Sequence, residues 1–237
     1  MKLQKITTAP GAQHRRYNDA CGTAHALDLV GERWALLVLR ELMLGPKRFS
    51  DLKADLAGIS ANVLTQRLEG LEAYGLLVRR RLPPPASVQV YELTSWGYEA
   101  EPIFQSLGRW AARSPHHDPT LPISSVSLLM SFRTMFDPAR ASKMNAKVGM
   151  EFGEERFLLT IADGTLTVVR GAFDAADVVF AGEARMVGAA VYGGQPLAGL
   201  EAAGVLAVSG DRALAERFVT LFPLPAKADP VTRERSA

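Results

Sequence analysis

Three uncharged polar residues, Asn62, Thr65 and Gln66, have the chemistry and the spacing needed to read base pairs. They lie in the stretch SANVLTQRLEGLEAYGLLVRR, residues 60–80, in which leucines recur at helical spacing and predict a buried helix side opposite these polar groups. Asparagine and glutamine can bond adenine at two atoms in the major groove, and the threonine methyl can contact thymine. The alternative is a helix face that only meets solvent, since the same residue types occur on helices with no nucleic-acid partner.

Basic side chains around this helix are candidates for contacts with phosphate. They are Lys47, Arg48, Lys53, Arg79, Arg80 and Arg81. Ser60 is predicted to cap the helix, whose N-terminal amides can also receive a phosphate. Residues 1–115 hold 15 Lys and Arg against 11 Asp and Glu, an excess that permits an anionic partner without requiring one.

The elements that must position these residues have a recognisable order. Two short helices broken at Gly31 precede a third that Ser50 caps and Gly58 ends. The helix capped by Ser60 comes fourth, with Ile59 and Leu64 spaced as a hydrophobic staple. A hairpin with a proline-rich tip follows, and then a long helix capped by Thr94. Four helices, a hairpin and a helix are typical of a winged helix-turn-helix domain.

The stretch from Cys21 to about Arg113 resembles the HxlR-type winged-helix transcriptional regulators. The motifs that carry the resemblance are LVGERW, GPKRFSDL, GISANVLTQRLEGLEAYGLL and VYELTSWG. The resemblance implies a homodimer, paired through its N-terminal and final helices, that binds double-stranded DNA through the fourth helix and the wing. It also implies that Arg67 belongs to the recognition helix and contacts DNA.

Cys21 is the only cysteine, so an intrachain disulfide is excluded. Some members of the regulator family use a cysteine near this position as a redox sensor, and a protonated His25 one turn later would favour the thiolate. The alternative is a small buried side chain without redox chemistry.

The second half is predicted to be a separate small α/β unit. We assign residues 1–20 to an arm, 21–113 to the DNA-binding domain, 114–124 to a linker, 125–225 to a second domain and 226–237 to a flexible tail. Strands are expected at 152–161, 166–170, 177–180 and 205–209, with two small-residue helices before the last strand and a closing helix at 211–222. The expected fold class is therefore α+β.

The run ADVVFAGEARMVGAAVYGGQPLAGLEAAGVLAVSGDRALAERF resembles sterol-carrier-protein-type domains. This resemblance implies a site for a small hydrophobic ligand, although such a domain can also serve only to dimerise. From the residues alone, a group of flexible and aromatic side chains suits either an adaptable pocket or an ordinary core. Its members are Met130, Phe132, Met135, Phe136 and Met150.

Catalytic signatures are absent: the sequence contains no Walker A loop, GxGxxG, GxSxG, HExxH or CxxC. His116, His117 and Asp118 could hold a metal only if a scaffold fixed them. We expect a regulator that is not an enzyme, needs no cofactor or metal, does not enter membranes and works in the cytoplasm. The alternatives are a redox regulator acting through Cys21 and a lipid carrier whose helical half only dimerises.

Overall fold

The computed structural model describes residues 17–229. Most of the predicted arm and the last eight residues of the predicted tail lie outside this range. No helix among the described residues combines the length and the apolar character needed to cross a bilayer.

The first half has the predicted winged helix-turn-helix order. Its helices and strands are α1 (Gly22–Val30), α2 (Ala35–Leu42), α3 (Phe49–Asp55), α4 (Ala61–Ala73), β1 (Leu77–Arg81), β2 (Gln89–Leu93), α5 (Ser95–Tyr98) and α6 (Glu101–Ala111). The strands pair antiparallel as the wing. Buried leucines of α2, α3 and α4 form the core beneath them.

Local signals explain how α4 begins and how α3 ends before it. The Ser60 hydroxyl accepts a hydrogen bond from the Val63 amide at 3.2 Å, as expected of an N-cap. Gly58 has a φ of +89°, the left-handed conformation that favours glycine after a helix. Ile59 and Leu64 are both buried on the same side of this helix start.

Two predictions for the first half are wrong in detail. Ser50 does not cap α3, because the helix already begins at Phe49 and the Asp51 carboxylate accepts from the Arg48 amide at 3.2 Å. Thr94 caps only the short α5, and a second helix, α6, follows after Ala100. Within α5, a Cβ on Gly97 would lie 2.0 Å from the Leu76 carbonyl oxygen, so this close approach requires glycine.

The second half is a five-stranded sheet with helices packed against it. Its elements are α7 (Ser125–Met135), β3 (Ala146–Phe152), β4 (Glu155–Ala162), β5 (Thr165–Arg170), β6 (Val178–Gly182), α8 (Ala184–Val191), α9 (Leu197–Ala202), β7 (Leu206–Gly210) and α10 (Arg212–Phe218). The strand order is β5-β4-β3-β6-β7, and only β3 and β6 are parallel. Helices α7, α8 and α10 contact the strands.

The strand predicted over 152–161 is wrong, because a turn at Gly153 divides that segment between β3 and β4. Gly153 has a φ of +62°, which ends β3 at Phe152. Most of β3 was therefore missed. A tight turn joins β4 to β5 after Ala162, where both Asp163 and Gly164 have positive φ, as such a hairpin turn requires.

The two halves share one continuous apolar core. Helix α7 packs against α2 and α6. Arg133 of α7 forms an ion pair with Glu101 of α6 at 2.9 Å, and Arg109 of α6 donates to the Thr134 carbonyl oxygen. The predicted linker therefore connects two units that lie in direct contact.

The flexible tail was predicted to begin at residue 226, but the first residues of that segment are held by hydrogen bonds. Residues 226–228 lie against the end of α6, where the Ala228 amide donates to the Arg113 carbonyl at 2.7 Å. The Lys227 ammonium donates to the carbonyls of Ala112 and Ser114 at 3.1 and 3.0 Å. Residues 226–228 of the predicted tail are therefore held by hydrogen bonds to the end of α6 and the residues after it.

Candidate nucleic-acid interface and adjoining cavity

Helix α4 presents the predicted polar face to solvent. Asn62, Thr65, Gln66 and Glu69 are all exposed, while the leucines opposite them are buried. Within residues 17–229, no hydrogen bond or ion pair engages these four side chains. Amides held by no neighbour can bond base edges without breaking an internal contact.

Arginines of the wing stand beside this face. Arg81 is exposed and donates only to the Ser87 carbonyl at 3.2 Å. Arg79 pairs with Glu72 at 3.0 Å and Arg80 pairs with Glu92. Because exposed ion pairs are worth at most about 1 kcal/mol, a phosphate can replace either carboxylate.

Other predicted phosphate contacts divide by burial. Arg48 is exposed before α3. Lys47 is only 4% exposed, and its ammonium lies on the carboxylates of Glu41 and Asp55, so its predicted role at phosphate is wrong. The half-buried Lys53 remains a candidate.

The prediction for Arg67 is also corrected. Its guanidinium turns away from the polar face of α4, pairing with Glu32 at 3.0 Å and donating to the Arg33 carbonyl at 3.1 Å. Arg67 thus ties α4 to the segment before α2, and its charge is already engaged.

Lys47 belongs to a buried ionic cluster that joins the two halves, and sequence reasoning missed it. Glu41 is fully buried and accepts from Lys47 at 3.3 Å and from Arg40 at 2.7 Å. The Ser124 hydroxyl, which also caps α7, donates to Glu41 at 2.7 Å. Arg40, Glu41 and Lys47 lie close together in the sequence, but Ser124 is 83 residues from Glu41, so local spacing does not mark the cluster.

Side chains of β4 and β5 complete the ionic cluster. Glu155 lies 4.0 Å from the Lys47 ammonium and accepts from Arg170 at 2.7 Å. Arg170 also donates to the Leu44 carbonyl at 3.3 Å. The second half thereby contacts the turn between α2 and α3, which precedes the helix-turn-helix formed by α3 and α4.

Burial and charge act differently on the two peripheral carboxyls of the cluster. Burial raises the pKa of Asp55, and the hydrogen bond and charge of Lys47 offset this only in part. At Glu155 burial acts in the same direction, but the hydrogen bond from Arg170 and the charge of Lys47 outweigh it and the pKa is lowered. Glu155 is therefore the more firmly ionised of the two.

A cavity of about 460 Å³ lies where α7 meets α2 and α6. Its walls are mainly apolar, and residues of the predicted linker and Leu224 close its edge. The residues that line it are Leu36, Leu37, Arg40, Phe104, Leu107, Gly108, Ala111, Ala112, His117, Asp118, Pro119, Leu121, Pro122, Ile123, Ser127, Met130, Ser131, Thr134, Met135, Tyr192 and Leu224. The volume is in the range of small-molecule sites.

Only two of the five predicted ligand contacts, Met130 and Met135, line this cavity. Phe132 is fully buried and stacks on Phe222 with ring centroids 4.3 Å apart. Phe136 also faces Phe222, at 6.2 Å. Met150 lies in the middle of the sheet, paired with Phe157 and Phe180. These three pack in or against the core of the second half and do not line this cavity.

The first half contributes cavity walls that sequence reasoning missed, among them Leu36, Phe104 and Leu107. Apolar periodicity reports that a side chain is covered and not what covers it. A usable signal was present on α7, where Ser127, Ser131 and Thr134 follow helical spacing on one side.

Cys21 is exposed immediately before α1. The backbone N–H groups at this helix start, first that of Thr23 and then that of Ala24, lower the pKa of its thiol. The His25 imidazole lies 4.0 Å from the Asp28 carboxylate, so the expected help from His25 is shared with an acid.

A metal site at His116, His117 and Asp118 finds no support in the geometry. Across residues 17–229, no group of three or more His, Cys, Asp or Glu side chains could hold a metal ion. The Asp118 carboxylate instead accepts from the Thr120 hydroxyl at 2.6 Å and from the Thr120 amide at 2.9 Å.

Comparison with known proteins matches the first half. Residues 29–118 match the family model HxlR-like helix-turn-helix. The HTH-type transcriptional regulator YvaP of Bacillus subtilis is 37% identical over 87 residues, which are 36% of this chain and 80% of that protein. The HTH-type transcriptional regulator YodB of the same species is 36% identical over 86 residues, 36% of this chain and 77% of YodB.

Among solved structures, the reduced form of the transcriptional regulator YodB from B. subtilis is 32% identical, covers 42% of this chain and 100% of that chain, and has a TM-score of 0.38. The regulators YvaP and YodB match the chain over most of their own lengths. Through its winged helix-turn-helix half, the chain belongs to the HxlR-like helix-turn-helix family of transcriptional regulators.

Proposed function

We propose that this protein is a transcriptional regulator that binds operator DNA as a homodimer and responds to a small hydrophobic ligand held against its second half. The observation that carries the DNA-binding proposal is the exposed face of α4, where Asn62, Thr65 and Gln66 have no partner among the described residues. Arg48 and Arg81 supply exposed positive charge in the same winged helix-turn-helix half. The protein acts by binding and catalyses no reaction.

In vitro selection from a random duplex library tests this function directly. We expect the full chain to enrich a pseudo-palindromic sequence whose half-sites are about one helical turn apart, because a symmetric dimer presents two copies of α4. If two to four cations of each protomer meet phosphate, log K should fall against log salt with a slope of about −4 to −7. Affinity that ignores both sequence and salt would contradict the proposal.

The homodimer proposal is supported by an exposed apolar stripe on α6. Ile103, Leu107 and Trp110 follow helical spacing and are 56, 47 and 71% exposed. Side chains of this size, aligned on one helix, form a patch that a monomer seldom leaves in water. A second copy can cover it with its own stripe across a twofold axis.

Replacing Ile103 with glutamate should therefore dissociate the dimer. Each copy would place a carboxylate in the apolar interface, which weakens association by at least about a hundredfold. Sedimentation velocity on the full chain measures the change, and Val169→Glu is the matched control because Val169 is similarly exposed, on β5. Equal dimerisation by both variants would exclude α6 as the interface.

A second candidate, redox regulation through Cys21, is favoured by the exposed thiol and its lowered pKa. A lowered pKa means that the reactive thiolate persists at lower pH, so alkylation of Cys21 should reach half its maximal rate below the pH typical of a free thiol. Mass spectrometry of iodoacetamide-treated protein across a pH series measures this rate. Redox control further requires that oxidant change operator affinity in the wild type and not in Cys21→Ser.

A further inference from the structure

The hydrogen-bonding side chains on the α7 wall of the cavity between the two halves are all hydroxyls. Ser131 and Thr134 of α7 line it together with Tyr192, which follows α8. The rest of the wall is mainly apolar, with leucine its commonest residue, and its other polar members are Arg40, His117, Asp118 and Ser127. A ligand must therefore be largely apolar and must satisfy whatever these three hydroxyls present.

The protons of these hydroxyls are already committed. The Ser131 hydroxyl donates to the Leu128 carbonyl at 2.7 Å, and the Thr134 hydroxyl donates to the Met130 carbonyl at 2.8 Å. The Tyr192 hydroxyl lies 2.8 Å from the Ser131 oxygen, and because Ser131 has no second proton, Tyr192 is the donor of that bond. Only oxygen lone pairs are left to face a ligand.

Burial raises the pKa of Tyr192, so this residue stays a neutral phenol throughout the physiological range. Its oxygen therefore accepts a hydrogen bond without adding charge. Ser127, one turn earlier on α7, has a hydroxyl that can donate to a ligand oxygen. A hydroxyl group on the ligand suits both, since it donates and accepts.

Charged side chains at the cavity do not favour an anion. The Nε and one terminal nitrogen of Arg40 already lie on Glu41, at 3.2 and 2.7 Å. Asp118 lines the same cavity, and its hydrogen bonds from Thr120 lower the pKa of its carboxyl and keep it ionised. A carboxylate ligand would meet this like charge.

We infer that the cavity binds a neutral apolar molecule bearing a hydroxyl group, of the class of alkylphenols or long-chain alcohols, whose hydroxyl donates to the Tyr192 oxygen and accepts from the Ser127 hydroxyl. The inference rests on the proposed function, for which it names the ligand class and the place of binding. Helices α2 and α6 of the DNA-binding half form walls of this cavity, so a bound ligand contacts both halves at once.

Calorimetric titration of the full chain, without DNA, tests the inference with three probes. They are para-hexylphenol, its methyl ether and para-hexylbenzoate. We expect the phenol to bind about five- to tenfold more tightly than the ether, which has the same apolar body and no donor, and more tightly than the benzoate. Tyr192→Phe should weaken phenol binding about three- to tenfold and leave ether binding unchanged.

Two further variants separate the site from general effects. Tyr98→Phe removes a phenolic oxygen outside the cavity and should change nothing. Leu37→Trp fills the cavity from its partly exposed edge and should abolish binding of all probes. Leu121→Trp, at a cavity residue outside the α6 stripe, serves the same purpose should the first variant lose its circular dichroism.

Equal affinity for phenol and ether, tighter binding of the benzoate, an unaltered Tyr192→Phe variant or no binding of any probe would each overturn the inference. Because these titrations contain no DNA, they are independent of operator binding. A protein that binds the phenol but no operator would fail the proposed function alone. One that binds operator but no probe would fail the inference alone.

Discussion

Replacing Asn62, Thr65 and Gln66 together with alanine is expected to abolish sequence-selective DNA binding and to leave the fold intact. Each amide that bonds a base at two atoms contributes about 1–3 kcal/mol of discrimination. Losing two such contacts and a threonine methyl should lower operator affinity by about a hundredfold to ten-thousandfold. The helix itself should not suffer, because these side chains are exposed and alanine has the higher helix propensity.

The triple substitution changes no charge, and this makes the test specific. Phosphate contacts set the salt dependence, so the slope of log K against log salt should match the wild type while the ratio of operator to scrambled affinity falls towards one. Fluorescence anisotropy with the selected operator and a scrambled duplex measures both quantities. The matched control is Asn145→Ala with Gln195→Ala, two exposed amides of the second half. A triple variant that retains the wild-type ratio would show that α4 does not read bases.

The second large effect is expected from Lys47→Met. This change keeps most of the side-chain volume and removes the ammonium that lies between Glu41 and Asp55. Glu41 is fully buried, and breaking a buried pair by removing one partner costs about 3–5 kcal/mol. A loss of that size is a large fraction of the about 5–15 kcal/mol that stabilises an ordinary domain.

Denaturant unfolding monitored by circular dichroism measures the loss. Arg48→Met is the matched control, because it removes a neighbouring but exposed charge and should change the free energy of unfolding by no more than about 0.5 kcal/mol. The double variant Lys47→Met, Glu41→Met should recover part of the stability, since it removes the fully buried carboxylate and leaves only the partly exposed Asp55 without its lysine. If Lys47→Met unfolds like the control, the cluster contributes little.

Local signals in the sequence identified most of the first half. The leucine spacing of α4, the Ser60 cap and Gly58 each act within a few residues, and for that reason they could be read without a structure. Thr94 shows the limit of such signals. It does cap a helix, but α5 ends after Tyr98, and nothing local to Thr94 indicated that a second helix would begin at Glu101.

Contacts between different elements of the fold account for what the sequence did not reveal. Lys47 and Arg67 look like surface cations beside a DNA-binding helix, and only the structure brings Glu41, Asp55 and Glu32 to them. For the same reason, only two of the five predicted ligand contacts line the cavity. Met130 and Met135 face the first half, whereas Phe132 faces Phe222 on its own side.

The contact of Arg170 and Glu155 with the segment that carries Leu44 and Lys47 has a consequence for protein engineering. In a chimera that joined this winged helix to an unrelated sensor module, Lys47 would lose its contact with Glu155 and Glu41 would lose its hydrogen bond from Ser124. The Leu44 carbonyl would lose its hydrogen bond from Arg170. The new sensor module must therefore present a carboxylate, a guanidinium and a hydroxyl where Glu155, Arg170 and Ser124 lie in this protein. Either half can be exchanged for another domain only if the residues of this contact are kept or replaced by equivalent ones.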